Sequence, residues 1–272
     1  MKDLVSVIMP TYNSSATLQR SVDSILNQTY TNIELLITDD CSKDNTADLI
    51  RSIAEADSRV HPTLLTSNFG PGYARNDAIK RAKGRYIAFC DSDDRWFPDK
   101  LEKQIAFMNE KQCALSYTSY LVCDENDNDV GIVVAPERID LSMLKRDNKI
   151  GCLTAIYDTQ LLGQKYYMPT LRKRQDWALF LTILMKCGVA CGITYPLAYY
   201  RITTDSVSSN KFSLVKYNVR VYQQILGYSK FKSYCYFLFC FFPSYSLKVL
   251  KNKVNSIKYV AKLKEMKKNK NR

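Results

Sequence analysis

Apolar positions in the first hundred residues switch between a period of two and a period near 3.6. Val5-Ser6-Val7-Ile8 is a short β-branched run that closes at Met9-Pro10. Leu18, Val22, Ile25 and Leu26 then recur at i, i+4, i+7 and i+8, which predicts a helix opened by Ser14 or Ser15. The same reading gives strands at 34–38, 60–66 and 86–90. It gives helices at 46–56 and 72–83, the second ended by Gly84. Pro98 opens a further helix that buries Leu101, Ile105 and Met108. Strands alternating with helices predict an α/β fold with a mainly parallel central sheet flanked by helices. Ligands of such sheets bind beyond the carboxyl ends of the strands. Two acidic clusters fall at such ends: Asp39-Asp40 after the second strand, and Asp91-Ser92-Asp93-Asp94 after the fourth.

The second half is less regular. Residues 114–120 and 130–134 predict strands around a polar turn, 124–129, and residues 152–157 predict another strand. Residues 177–187 predict an amphipathic helix through Phe180, Ile183, Leu184 and Cys187, entered by Arg172-Lys173-Arg174-Gln175-Asp176. Near the end, Leu247, Leu250, Val254, Ile257 and Ala261 recur at spacings of three and four with lysines between them. That pattern is a basic amphipathic helix of the kind that lies on anionic lipid. A helix packed on the core, or a contact with a second copy of the chain to give a homodimer, would use the same pattern.

Charge sharpens this picture. The 272 residues carry 39 Lys and Arg against 27 Asp and Glu, a net of +12. Residues 245–272 hold nine Lys and one Arg against one Glu, so the tail accounts for +9 of it. A body close to neutral argues against a general nucleic-acid-binding protein. The most apolar run, 234–242, stops at Pro243. It is too short to cross a bilayer, which takes about 20 apolar residues. No leader-like apolar segment precedes the first strand, so the expected location is the cytoplasm. Nine Cys without a CxxC pair, and a single His, His61, argue against a zinc site or a disulfide framework. No GxGxxG follows the first strand, which disfavours a dehydrogenase.

Asp91-Ser92-Asp93 is the candidate chemistry. Alternate residues at a strand end can aim two carboxylates into one cleft, where one pKa rises unless a cation sits between them. Mg²⁺ or Mn²⁺ resolves the repulsion, taking one or two carboxylates and completing its shell with phosphate oxygens and water. A solvated acidic turn, with Asp94 capping the next segment, is the plainer alternative.

Four stretches now carry a resemblance. They are Val5-Ser6-Val7-Ile8-Met9-Pro10-Thr11-Tyr12-Asn13, Asp39-Asp40-Cys41-Ser42-Lys43-Asp44-Asn45-Thr46, Ala74-Arg75-Asn76, and Gly84-Arg85-Tyr86-Ile87-Ala88-Phe89-Cys90-Asp91-Ser92-Asp93-Asp94. Together with Lys173-Arg174-Gln175-Asp176-Trp177, Tyr200-Arg201 and Ser206-Val207-Ser208-Ser209-Asn210-Lys211, they resemble the inverting family 2 glycosyltransferases of the GT-A fold. The likeness covers about residues 4–212 and is strongest to bacterial enzymes that build teichuronic acid, capsule or O-antigen repeat units. It implies a catalytic domain over 1–212, with a nucleotide half at 1–112 and an acceptor half at 113–212, followed by a helical extension at 213–272.

The resemblance also implies roles. Pro10 and Tyr12 would line the uracil and ribose pocket, Asp40 would accept from the uracil imide, and Arg75 would help hold the nucleotide. Asp91 would face the ribose, with Ser92 beside it, and Asp93 would ligate Mn²⁺ or Mg²⁺ on the donor diphosphate. Asp176 would be the general base, with Trp177, Arg174 and Gln175 toward the acceptor. Two plainer readings stay open: Asp40 capping its loop, and Asp176 favoured at a helix start by the macrodipole. The chain lacks the Gln-x-x-Arg-Trp motif and the membrane spans of processive relatives, so the implied enzyme adds one sugar and stops. Implied partners are a UDP-sugar donor, a polyprenyl-diphosphate-linked acceptor, and the anionic inner face of the bacterial membrane through residues 231–272, with no nucleic acid. A nucleotide-sugar-binding subunit without catalysis and an Asp-x-Asp phosphotransferase are the competing classes.

Overall fold

A computed structural model describes residues 2–202 and 211–270. The first hundred residues give β1 (Val5–Thr11), α1 (Leu18–Leu26), β2 (Ile33–Asp39), α2 (Thr46–Ala56), β3 (Val60–Leu64), α3 (Pro71–Arg81), β4 (Tyr86–Phe89) and β5 (Arg95–Trp96). Next come α4 (Lys100–Lys111), β6 (Leu115–Cys123), β7 (Asp129–Val133), β8 (Arg138–Asp140), α5 (Leu141–Arg146), β9 (Ile156–Asp158) and α6 (Thr159–Leu162). The remainder is α7 (Gln175–Cys187), β10 (Val189–Arg201), α8 (Lys211–Leu226), α9 (Lys230–Tyr236) and α10 (Phe242–Lys270).

One sheet runs β3-β2-β1-β4-β9-β6-β10-β5, with β7 beside β6 and β8 beside β10. Its first four strands are all parallel. Beyond β4 the sheet is mixed: β9 is antiparallel to β4 and β6, while β6 and β10 run parallel. The alternation of side chains along β1 divides the core. Val5, Val7 and Met9 pack under α1, α2 and α4, whereas Ile8 packs on the opposite face with α3 and α7.

Two elements differ from the pattern reading. Residues 152–157 begin as one 3₁₀ turn, Cys152–Thr154, and only then enter β9. The Gly151 carbonyl accepts from both the amide of Thr154 and its Oγ1 (3.0 and 2.8 Å), which closes the turn. β10 carries no clean alternation because Pro196 sits between two register shifts, yet it pairs with three strands. The implied closing segment, Ser206-Val207-Ser208-Ser209-Asn210-Lys211, lies outside the described residues except for the backbone of Lys211.

The extension is fastened to the body. Trp177, Tyr222 and Phe241 pack together, with ring centroids 5.5 and 5.4 Å from the indole. α10 docks through polar side chains: Lys248 Nζ donates to Asp147, Ser256 Oγ accepts from the Ile132 amide, and Tyr259 Oη donates to Asp129. The apolar stripe predicted for this helix faces outward, with Leu247, Leu250 and Ile257 exposed at 69%, 60% and 61%. No described helix is long and apolar enough to cross a membrane.

Candidate active site

The carboxyl ends of β1, β2 and β4 are stitched into one rim. Asp39 accepts from Thr11 Oγ1 (3.1 Å) and from the amide of Ser42 (3.0 Å). Asn13, at a left-handed φ of 50°, donates its amide to Ser42 Oγ and accepts from the Lys43 amide, each at 2.8 Å. Ser14 Oγ and Ser92 Oγ share a hydrogen bond of 2.7 Å, and Ser21 Oγ donates to the Ser92 carbonyl. Ser92 is therefore a tie between strand ends. Pro10 is buried within β1, and Tyr12, half-exposed just past it, stands at the rim.

Asp40 is buried, and its two oxygens accept from the amides of Phe69 and Gly70, each at 2.8 Å. The loop it holds is the one before α3, not the one before the next helix, α2. Gly70 has φ +91°, a conformation that favours glycine, and Pro71 follows at the first turn of α3. This geometry sets the start of α3 against the β2 end and so places Arg75.

Arg75 Nη2 donates to Asp91 Oδ1 at 2.5 Å. Burial opposes the guanidinium charge, but Asp91, Cys152 and Asp176 together outweigh it and hold the group protonated. Arg75 Nε is buried and has no acceptor, as are Arg20 Nε and Nη2 and Arg174 Nε. The unpartnered donor of Arg75, beside the strand-end carboxylates, suits an anionic ligand.

The acidic cluster divides by environment. Asp91 is taken by Arg75. Asp94 is buried, accepts from the Arg201 amide at 3.1 Å, and is pushed up by burial and by its neighbour Asp93. It therefore closes the sheet against β10 rather than capping a helix. Asp93 has no ion pair among the described residues, and burial with the Asp91 charge pushes its carboxyl up to about 6. A lone carboxylate beside a like charge fits a hard divalent cation whose other positions are filled by ligand oxygens and water. Among the described residues no group of three or more His, Cys, Asp or Glu forms a metal cage, so the protein alone offers only part of such a shell.

Asp176 sits in the first turn of α7 and accepts from Asn148 Nδ2 at 3.1 Å. Its charge acts on Arg75 together with that of Asp91. Desolvation raises the thiol of Cys152, on the 3₁₀ turn, well above the ordinary range, and the charges of Arg75, Asp91, Asp176 and Asp94 also act on it. The acidic strand end and the α7 carboxylate thus share one electrostatic neighbourhood, centred on Arg75.

Two acceptor-side expectations change. Trp177 is fully buried, donates Nε1 to the Leu144 carbonyl and packs on Tyr222, so it cannot stack on a sugar. Gln175 donates to the Leu171 carbonyl and lies against Gly72, where an added Cβ would stand 2.8 Å from its Nε2. Both are packing residues, Gln175 against α3 and Trp177 against α5 and α8. Arg174 keeps an unpartnered Nε and a left-handed φ of 68° at the start of α7. Trp96 is also core, with Nε1 bonded to the Leu153 carbonyl. Sequence reasoning gave no role to Asn148. It also missed Asn76, whose amide bonds both ways to the backbone of Met168.

Residues 6–167 match the family Glycosyl transferase family 2. A Bacillus subtilis protein named as a teichuronic acid biosynthesis glycosyltransferase is 42% identical over 225 residues, covering 82% of this chain and 89% of its own length. An Escherichia coli UDP-Glc:alpha-D-GlcNAc-diphosphoundecaprenol beta-1,3-glucosyltransferase is 41% identical over 222 residues, 78% of this chain and 83% of that protein. The crystal structure of a Pyrobaculum calidifontis mannosyltransferase with GDP-Man and Mn²⁺ shares the fold at a TM-score of 0.62 and 16% identity, covering 98% of this chain and 81% of that one.

Proposed function

This chain belongs to glycosyl transferase family 2, and on that footing we propose that it moves one hexose or N-acetylhexosamine from a UDP-sugar to a polyprenyl-diphosphate-linked saccharide, with inversion, during assembly of a bacterial surface polysaccharide. The E. coli relative's donor and lipid-linked acceptor support the substrate class. The observation that carries the reading is Arg75, which pairs with Asp91 while its buried Nε keeps no acceptor, at the strand end that also carries Asp93, a carboxylate without an ion pair among the described residues.

The roles follow from chemistry. Tyr12 and Pro10 wall the nucleobase end, and Asp40, holding the loop at Gly70, keeps lone pairs for the uracil imide. Asp91 faces the ribose. Arg75 offers its Nε hydrogen to the diphosphate. Asp93 would hold Mn²⁺ or Mg²⁺ with diphosphate oxygens, and such an ion, when bound, supplies Lewis-acid stabilisation of the departing nucleotide. Asp176 takes the proton from the acceptor hydroxyl as that oxygen attacks the anomeric carbon. With one carboxylate on the acceptor side and none assigned as a nucleophile, a single displacement converts an α-linked donor into a β-linked product. The base and Arg174 belong to the 113–212 half, and the donor contacts to 1–112.

The 213–272 extension places the enzyme on the inner membrane face. Its outward apolar stripe lies among lysines, and each cation near an anionic surface contributes about 1 kcal/mol. The test is nucleotide release, with Mn²⁺, across a panel of UDP-sugars, with and without a lipid-diphosphate saccharide. The reading expects one donor to give acceptor-dependent UDP and a single added sugar. Release of inorganic phosphate, or no turnover of any donor beside tight UDP binding, would contradict it.

A further inference from the structure

We infer that Asn148 is a positioning residue for Asp176, and that Lys248 on α10 holds Asn148 in place, so that the C-terminal extension completes the acceptor side of the site. The inference rests on the reading of Asp176 as the base.

The segment between α5 and the 3₁₀ turn makes the connection. Asn148 Oδ1 accepts from the Ile150 amide at 3.3 Å. Only the carbonyl end of a side-chain amide can do so, which fixes its orientation and leaves Nδ2 facing Asp176 Oδ2 at 3.1 Å. A donor on one carboxylate oxygen fixes the rotamer of the carboxylate. The other oxygen is left for the acceptor's proton.

The Asn148 backbone is held in turn by a residue a hundred positions later. Lys248 Nζ donates to the Asn148 carbonyl at 2.7 Å and to Asp147 Oδ1 at 2.6 Å. Asp147 is fully buried, and Lys149 Nζ reaches its other oxygen at 3.4 Å. A buried carboxylate gripped by two lysines fixes the loop on both sides of Asn148. The remaining ionisable groups that bear on Asp176 are Arg75 from α3 and Cys152 from the 3₁₀ turn, with Arg174 two residues before it on the chain. Asn148 is the side chain that donates a hydrogen bond to Asp176 among the described residues.

The test uses the full chain and the nucleotide-release assay. Asn148→Asp is nearly isosteric and keeps the acceptor for the Ile150 amide, but it replaces the donor with a second carboxylate. It should lower kcat about 10- to 100-fold. The acid limb of the pH–rate profile should move to higher pH, because a like charge beside Asp176 raises the pKa of the base. Donor KM and UDP affinity should stay unchanged. Lys248→Met should lower kcat in the same way, and Lys248→Arg should restore most of it. Asp176→Asn is run alongside. An inactive Asp176→Asn beside an Asn148→Asp with wild-type kcat and an unmoved acid limb would overturn this inference alone. Turnover surviving in Asp176→Asn would overturn the base reading and this inference with it.

Discussion

Arg75 gives one N–H to Asp91 Oδ1 and keeps another, on Nε, buried without an acceptor. One guanidinium thus neutralises a carboxylate of the strand-end cluster while holding a hydrogen for an anion. Lysine carries the charge but lacks the second, fixed donor. Arg75→Lys should weaken UDP binding about tenfold with little change in melting temperature, since the ion pair with Asp91 can be retained. Calorimetry of UDP binding and a thermal melt would check both halves. An unchanged affinity would remove Arg75 from the donor site.

Asp93 should behave in the opposite way. Its carboxyl titrates near 6, above the ordinary value, so the fold disfavours its charged form at neutral pH. Asp93→Asn removes that charge without breaking an ion pair. The variant should melt at or above the wild-type temperature in metal-free buffer at pH 7.5. Its acceptor-dependent turnover should fall by about 10²- to 10³-fold. Lower stability together with retained turnover would reverse the assignment.

Lys100 gives a pH signature unrelated to catalysis. It is fully buried under Trp96 with Gln104 as its hydrogen-bond partner, and burial lowers its pKa to about 7. Between about 7 and the ordinary 10.5 the unfolded chain binds this proton and the folded chain does not. Stability from this group therefore rises with pH across that window and is lost as pH falls through it. Lys100→Met should flatten that part of the stability curve and raise the melting temperature at pH 7. Urea unfolding at pH 7 and pH 9.5 measures the slope.

The sheet's parallel half was legible because Val7, Ile8, Leu35 and Ile37 keep strand chemistry between clearly periodic helices. The rim was legible because its carboxylates fall directly after strands. The acceptor side was not. Trp177 offers an indole next to the proposed base, and nothing in its type shows that the ring points inward onto Tyr222. Asn148 lies 28 positions before Asp176, and Lys248 lies 100 after Asn148. Contacts made only by tertiary folding leave no periodicity to read. Pro196 conceals β10 for a local reason, since its bulge breaks the alternation that marks a strand.

The tail's predicted helix is present, but its docked face is polar and its apolar face is outward. Truncation at 245 would therefore remove Lys248, Ser256 and Tyr259 along with any anchor. Leu250→Ser with Ile257→Ser is the cleaner change, because both side chains are exposed. The pair should reduce binding to vesicles containing anionic lipid severalfold and leave the melting temperature unchanged. High salt should weaken the wild-type interaction. Vesicle sedimentation at low and high salt decides it, and equal binding by the double variant would leave the stripe without a membrane role.

The proposed transfer depends on proton removal by Asp176 on the far side of the sugar from Asp93. Its most direct test is acceptor-dependent UDP release by Asp176→Asn, measured beside UDP–Mn²⁺ affinity. The predicted result is a loss of about 10²- to 10⁴-fold in kcat with nucleotide affinity intact. Wild-type release by the asparagine variant would contradict it.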